Sequence, residues 1–138
     1  MPGAFDDLSE PTRHGVAFWM VRADGAVLLR RRPPRGLLGG MMEVPSTPWR
    51  ADRWTAAEAT PAAPAAGKLS WRLLPGAVSH TFTHFHLELQ VLAVDLPARK
   101  AAALEGDGLR WVAMDEIGAA GLPSVMAKIA RHALAHTG

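Results

Sequence analysis

Four side chains of types that bind metals in many proteins lie close together in the middle of the chain: His80, His84, His86 and Glu88. Imidazole and carboxylate groups are ordinary zinc ligands. All four occupy even-numbered positions, so on one extended strand they would share a face, with about 6.6 Å between alternate residues. Two of them could share a zinc ion only if the strand bent. The pattern therefore favours a polar strand face over a metal site.

A second chemical feature is the concentration of arginine in the first half of the chain. Eight arginines lie between Pro11 and Trp54, against three carboxylates, although the whole chain has a net charge of only +2. A local basic surface suits a polyanion, nucleic acid or a nucleotide. A solvated charged hairpin would produce the same pattern. Four of these arginines fall at the end of a predicted strand and in the loop after it: Arg30, Arg31, Arg32 and Arg35.

The elements around these arginines begin with a predicted β-hairpin. Residues 16–21 form a continuous apolar run rich in aromatic and β-branched side chains, which is typical of a strand covered on both faces. A turn signal at residues 23–25 separates this run from a second strand, residues 26–32. Pro33 and Pro34 end that strand because proline cannot donate to a sheet. A glycine-rich loop follows, and then a short extended stretch over residues 41–44.

The second half of the chain predicts further strands and a C-terminal helix. Residues 55–67 have low complexity and are interpreted as a surface excursion with one helical turn. The longest strand signal covers residues 77–96, and from Phe85 onward its odd positions are apolar and its even positions polar. The remaining predicted elements are a strand at 109–112, helical turns at 115–120, and a helix from Pro123 to about residue 135 with Leu134 in its apolar stripe. This order predicts an α+β domain over residues 15–138, preceded by a tail or interdomain linker, residues 1–14.

Composition excludes several classes of protein. The chain has 138 residues, enough for one domain, and 49% of them are apolar. It has no cysteine, which excludes disulfides, zinc–thiolate sites, cysteine nucleophiles and iron–sulfur ligation by this chain. No apolar run approaches the roughly 20 residues that cross a bilayer, and the N-terminus lacks the pattern of a signal peptide. We therefore expect a soluble protein of the cytoplasm that does not bind membranes.

Two stretches of the sequence resemble a known family. Residues 28–45, LLRRRPPRGLLGGMMEVP, are similar to the front half of a Nudix domain, and the region from Trp111 to Pro123 resembles its C-terminal end. Within the first stretch, the arginine–proline step, the GLLGG loop and the Glu-Val-Pro ending closely resemble the C-terminal domain of MutY-type adenine DNA glycosylases. Residues 78–85, VSHTFTHF, resemble the Phe-Ser-His loop of the same family, with Thr83 where serine is usual.

The resemblance implies a Nudix-like fold with a mixed or antiparallel sheet, a C-terminal helix and a degenerate Nudix box. It also implies a function in base excision repair, the recognition of 8-oxoguanine paired with adenine in duplex DNA. Thr83 would accept a hydrogen bond from N7–H of the lesion, and a nearby backbone N–H would donate to O8. Phe82 would pack beside the base, and His84 would brace the loop or contact a phosphate. Further phosphate contacts are expected from some of Arg30, Arg31, Arg32 and Arg35.

We do not expect this chain to hydrolyse a diphosphate. Active Nudix hydrolases hold Mg²⁺ on several glutamates of one helix that follows the glycine-rich loop. After Gly40 this chain has only Glu43, Asp52 and Glu58 before Glu88, and Pro45 and Pro48 interrupt the segment. We therefore expect no metal and no catalytic residue here. Two alternatives remain: a divergent Nudix hydrolase of a nucleoside di- or triphosphate, and a stand-alone Nudix-fold module that binds a protein or another ligand.

The resemblance also implies partners that the chain does not contain. The glycosylase reaction needs a helical catalytic domain, which usually carries a 4Fe-4S cluster on four cysteines. The chain is therefore expected to be the lesion-recognition half of such an enzyme, with no cofactor of its own. Its expected partners are duplex DNA containing 8-oxoguanine opposite adenine and the catalytic helical domain of the same protein. Its expected location is the cytoplasm, in association with the nucleoid.

Overall fold

The computed structural model describes residues 11–65, 67–104, 106 and 108–137. They form an α+β domain around a seven-stranded mixed sheet. The strands are β1 (Thr12–Val21), β2 (Val27–Arg31), β3 (Met42–Glu43), β4 (Arg72–Leu73), β5 (Val78–Thr81), β6 (His86–Asp95) and β7 (Leu109–Val112). The helices are α1 (Ala56–Ala59), α2 (Ala98–Ala102) and α3 (Ser124–Thr137), with 3₁₀ helices at Thr60–Ala62 and Met114–Ala119.

The sheet is built on the parallel pair β1 and β6. Their register runs from Thr12 opposite His86 to Val21 opposite Asp95. Residues 16–20 of β1 are buried, because the strand lies in the middle of the sheet with both faces covered. This explains why its apolar run is continuous rather than alternating. On its other side β6 pairs with β4 and β5, both antiparallel.

Residues 42–47 fill a gap between β1 and β2. The two strands of the hairpin pair directly at one position beside their turn. Further from the turn, Arg30 of β2 pairs with Glu43, and Ala17 of β1 forms a bridge with Ser46. The segment that follows the glycine-rich loop is therefore extended and hydrogen-bonded into the middle of the sheet.

The core has one layer on each face of the sheet. The layer under α3 includes Trp19, Leu87, Val91, Met126 and Ile129, all fully buried. The opposite layer includes Phe18, Leu28 and Leu92, and it is closed by Ala59 of α1 and Ala101 of α2. Since both faces are covered by helices, the functional surface must lie at an edge of the sheet or in its loops.

The predicted N-terminal hairpin is confirmed, but its first strand is longer than expected. Strand β1 begins at Thr12, inside the segment interpreted as a tail over residues 1–14. The side chains of residues 12 and 13 are exposed, so they give no apolar signal, although the backbone of β1 pairs with β6 from its first residue. Residues 1–10 of the expected tail lie outside the described residues.

The strand signal over residues 77–96 corresponds to two antiparallel strands, β5 and β6, with a reversal between them. This corrects the expectation that His80 shares a face with Glu88; His86 and Glu88 do share one, and Nε2 of His86 lies 3.9 Å from Oε1 of Glu88. His80 lies opposite Leu87, whereas Thr81 lies opposite His86. Opposite residues of an antiparallel pair point to the same side, so His80 points toward the α3 layer and His86 away from it.

Other elements differ from expectation in smaller ways. The low-complexity segment 55–67 contains α1, which begins with a capping box between Thr55 and Glu58. Because Ala59 of this helix is buried, the segment does not lie wholly on the surface. Ala66 lies outside the described residues. Leu134 is 38% exposed rather than part of the buried stripe of α3. Strand β4 and helix α2 were not predicted. No helix in the described ranges is long and apolar enough to cross a membrane.

Removing a buried leucine of β6 should unfold the domain at a much lower denaturant concentration. Leu87 is 0% exposed, so Leu87→Ala should lower the free energy of unfolding by about 2–5 kcal/mol through lost burial and the cavity it leaves. Leu73 of β4 is 56% exposed, and Leu73→Ala should change the free energy of unfolding by no more than about 0.5 kcal/mol. Urea titration of both variants measures the difference; equal losses would contradict the assignment of the core.

Candidate nucleic-acid interface

The reversal between β5 and β6 presents two exposed polar side chains at its tip. The N–H of Phe82 donates to the carbonyl of Phe85 at 2.8 Å, which leaves Thr83 and His84 as the two residues of the turn. Both are exposed, and within the described part of the chain neither side chain has a hydrogen-bond partner. Just below the turn, the Thr81 hydroxyl and Nδ1 of His86 are 2.8 Å apart. The turn is therefore closed by hydrogen bonds that leave the Thr83 hydroxyl available to a ligand.

A cluster of three aromatic rings supports this turn from below. Phe82 stacks on Trp49, with 5.9 Å between ring centroids and 26° between planes. Phe85 lies 4.8 Å from Phe82 and 6.1 Å from Trp49. All three are half-buried and pack against the α3 layer of the core. We call Trp49, Phe82 and Phe85 the aromatic cluster; it fixes both ends of the turn to the body of the domain.

A cleft of about 580 Å³ opens beside the aromatic cluster. Trp49 and Phe85 line it, and each has a guanidinium group over its ring. The guanidinium carbon of Arg32 lies 5.0 Å from the centroid of Trp49, and that of Arg13 lies 4.9 Å from the centroid of Phe85. Cations are attracted to aromatic faces by the ring quadrupole. The cleft therefore combines aromatic walls with positive charge.

The carboxylate of Glu43, which is 3% exposed, lies at this cleft and is bound by two arginines. Nε of Arg30 is 2.9 Å from Oε2, and Nη1 of Arg32 is 2.8 Å from Oε1. Arg30 also donates to the carbonyl of Ser46 at 3.3 Å, and Arg32 to that of Leu37 at 3.0 Å. Burying a carboxylate is costly unless it is paired and hydrogen-bonded. Arg30 and Arg32 thus serve first to neutralise Glu43.

The other two arginines proposed to contact phosphate lie at the end of β2 and in the glycine-rich loop that follows it. Arg31 is exposed and donates to the carbonyl of Gly40 at 2.7 Å. Arg35 is exposed, and among the described residues it has no hydrogen bond or ion pair. The loop turns back tightly after Arg35, since a Cβ at Gly39 would lie 2.6 Å from the carbonyl oxygen of Pro34. Arg35 lies in this tight loop with its side chain exposed to a ligand.

His80 connects the aromatic cluster to α3. Its ring lies edge-on to Phe82 at 4.8 Å, and its Nδ1 is 3.0 Å from Nζ of Lys128. An ammonium group can only donate, so Nδ1 is the acceptor. Burial lowers the pKa of His80, and the positive charges of Lys128 and then His86 lower it further. His80 is therefore a neutral packing residue at pH 7 rather than a cation for DNA.

Comparison with known proteins identifies the family of this domain. A model described as NUDIX domain matches residues 16–132. The chain belongs to the NUDIX domain family. It is also 32% identical over 120 residues to the adenine DNA glycosylase of Homo sapiens, an alignment that covers 76% of this chain and 20% of that protein. The chain thus spans about a fifth of the length of the curated relative it matches.

Solved structures confirm the Nudix-like α+β fold. The C-terminal domain of mouse MUTYH, solved in complex with human PCNA, has a TM-score of 0.67 at 24% identity, over 89% of this chain and 88% of that one. The MutT protein of Methanosarcina mazei Go1 has a TM-score of 0.67 at 16% identity, over 94% and 99% of the two chains. Together with the sequence matches, these findings confirm the recognition of a Nudix-like domain of the MutY type.

The region in which an active Nudix enzyme has its carboxylate helix is different in this NUDIX domain. Residues 44–55, all described, contain no helix, and the backbone of residues 45–47 is hydrogen-bonded to β1. The carboxylate of Glu58 is bound by Arg50 at 3.0 Å. In the described part of the chain, no three His, Asp or Glu side chains are grouped so that they could hold a metal ion. The sequence-based expectation that no carboxylate helix forms here is confirmed.

Phe82, Thr83 and His84 lie at the turn between β5 and β6, and their role in binding the lesion stays a prediction. Two neighbours were missed by sequence reasoning. Trp49 falls in a segment with no apolar periodicity, so no pattern marked it as part of a cluster. Arg13 fell in the stretch interpreted as a tail, and only the pairing of β1 with β6 brings it beside Phe85.

Loss of the Glu43 charge should destabilise the domain, because Arg30 and Arg32 would lose their shared counter-charge. Their side chains are 32% and 20% exposed, so hydration of the two guanidinium groups would compensate for part of the lost ion pairing. Glu43→Gln should therefore lower the free energy of unfolding by about 2–3 kcal/mol, below the roughly 3–5 kcal/mol of a fully buried pair. Urea titration at pH 7 measures this loss.

The matched control for this variant is Glu58→Gln. The Arg50–Glu58 pair is 35% and 48% exposed, and exposed pairs contribute at most about 1 kcal/mol. If Glu58→Gln destabilised the domain as much as Glu43→Gln, the conclusion that the buried carboxylate stabilises the domain more than the exposed one would be wrong.

Proposed function

We propose that this domain recognises 8-oxoguanine opposite adenine in duplex DNA, as the non-catalytic lesion-reading part of an adenine DNA glycosylase. The observation that carries the proposal is the exposed Thr83 hydroxyl at the tip of a turn that hydrogen bonds and the aromatic cluster fix in place. The similarity to human adenine DNA glycosylase supports the DNA-repair setting. The parent enzyme would cleave the glycosidic bond of adenine with another domain.

The chemistry of the lesion suits a hydroxyl group beside backbone N–H groups. Relative to guanine, 8-oxoguanine has a hydrogen on N7, which becomes a donor, and an oxygen on C8, which is a new acceptor. The Thr83 hydroxyl would accept from N7–H, and a backbone N–H of the turn would donate to O8. One pair of well-placed contacts to a base edge discriminates by about 1–3 kcal/mol. The extra methyl group of Thr83, compared with serine, restricts its rotamers and would have to face away from the base.

The neighbours of Thr83 have separate roles in this proposal. Phe82 is half-buried in the aromatic cluster, so it would act by packing and by holding the turn rigid. The exposed His84 would contact a phosphate. Arg31 at the end of β2 and Arg35 on the glycine-rich loop are the better candidates for phosphate contacts, because Arg30 and Arg32 already bind Glu43. Rigid loops lose less conformational entropy when they bind.

The remaining parts of the proposal concern the setting in which the domain acts. Its partners would be duplex DNA with the lesion opposite adenine and the helical catalytic domain of the same protein. The 4Fe-4S cluster of the parent enzyme would belong to that domain, and this domain would carry no cofactor. The place of action would be the cytoplasm, at the nucleoid.

Thr83→Ala should reduce the preference for 8-oxoguanine over guanine opposite adenine. The ratio of the two dissociation constants should fall by a factor corresponding to about 1–3 kcal/mol, because the acceptor for N7–H is lost. Thr83→Ser, which keeps the hydroxyl, should retain most of the preference. Fluorescence anisotropy with matched duplexes at low salt measures both ratios.

Ser79→Ala provides the control for these variants, because it removes an exposed hydroxyl from the same hairpin, in strand β5. It should leave the ratio unchanged. Unchanged discrimination in Thr83→Ala would rule out the hydroxyl role. Equal affinity of the unmodified chain for both duplexes would instead favour a stand-alone binding module.

The hydrolase alternative predicts metal-dependent turnover, which we do not expect. Incubation of the purified chain with Mg²⁺ and dGTP or 8-oxo-dGTP should release phosphate or pyrophosphate no faster than buffer alone, because the segment that would hold the carboxylates is extended. Turnover that requires Mg²⁺ and is lost with EDTA would establish the alternative.

A further inference from the structure

Arg13 differs from the other arginines of the cleft in what its side chain binds. Arg30 and Arg32 are engaged by Glu43 and by backbone carbonyls. The guanidinium of Arg13 lies over Phe85, and within the described residues it has no hydrogen bond or ion pair. It is exposed and carries five N–H donors in a planar array that matches phosphate oxygens. Arg13 is therefore a positioned cation with unused donors.

The charge of the cleft favours an anion as its ligand. Its lining contains three arginines and a single carboxylate, so two positive charges remain in excess. Both aromatic rings of the lining already have a guanidinium over them. A nucleobase would have to displace an arginine in order to stack on either ring, whereas an anion would bind Arg13 where it already lies.

The position of Arg13 relates this anion site to the turn. Arg13 lies opposite Leu87 in the register of β1 and β6, and its guanidinium is over Phe85, two residues after Thr83. We propose that Arg13 binds a backbone phosphate of the lesion-bearing DNA strand, beside the Thr83 turn. This inference rests on the proposed function for the identity of the strand. Contacts to phosphate position a protein on DNA and carry no sequence information themselves.

Arg13→Gln should therefore weaken binding to every duplex by the same factor. At about 50 mM salt we expect a loss of roughly tenfold for the 8-oxoguanine and the guanine duplex alike. The slope of log K against log salt should become shallower by about 0.9, the value for one phosphate contact. Arg13→Lys should restore the slope and part of the affinity, since lysine keeps the charge and lacks the planar array.

Arg99→Gln is the matched control, because it removes the same charge from an exposed position of helix α2. Arg99 follows the far end of β6, about 30 Å from the turn by the rise of a ten-residue strand. It should change neither the affinity nor the salt slope. Thermal melts of the variants check that each is folded.

The outcomes separate this proposal from the proposed function. Unchanged affinity in Arg13→Gln, or an equal loss in Arg99→Gln, overturns the Arg13 site even if Thr83→Ala shows that the lesion is read. A uniform loss in Arg13→Gln, with no preference for 8-oxoguanine in the unmodified chain, supports the phosphate site and overturns lesion reading. No binding of the unmodified chain to either duplex at about 50 mM salt overturns both.

Discussion

The candidate site depends on the neutralisation of one buried carboxylate. Glu43 lies in the strand that fills the gap between β1 and β2, and its charge is stable there only because two arginines bind it. The same arginines reach beyond the carboxylate: one donates to the carbonyl of Ser46 and the other to that of Leu37 in the glycine-rich loop. The second also lies over Trp49. A single charge thus joins a strand end, a loop and the aromatic cluster into one rigid unit.

This arrangement is also the opposite of a magnesium site. A metal-binding Nudix helix offers several carboxylates whose charges are balanced by bound cations. Here the neutralising cations are guanidinium groups of the chain itself, and the segment after the loop is extended within the sheet. The same position in the fold therefore presents basic groups and aromatic rings rather than acids. A basic surface of this kind suits an anionic ligand.

The sequence predicted those features that depend on local pattern. The hairpin, the alternation along β6, the helix after Pro123 and the motif at Thr83 each have a signal within a few residues. Features without such a signal were missed: the reversal that separates His80 from His86 lies within one long run typical of a strand, and no turn residue marks it. Arg13 had no apolar neighbour to mark it as part of a strand. Trp49 joins the aromatic cluster only through tertiary packing, for which a single sequence carries no pattern.

The parallel pairing of β1 with β6 has a consequence for the synthesis of the protein. Thr12 pairs with His86, 74 residues further along the chain, so the centre of the sheet cannot close until most of the chain has left the ribosome. Contacts between such distant segments are slow to form because a long loop must close first. Arg13 and Phe85 belong to these two segments. The guanidinium group of Arg13 and the ring of Phe85 therefore come together only late, after both strands have been synthesised.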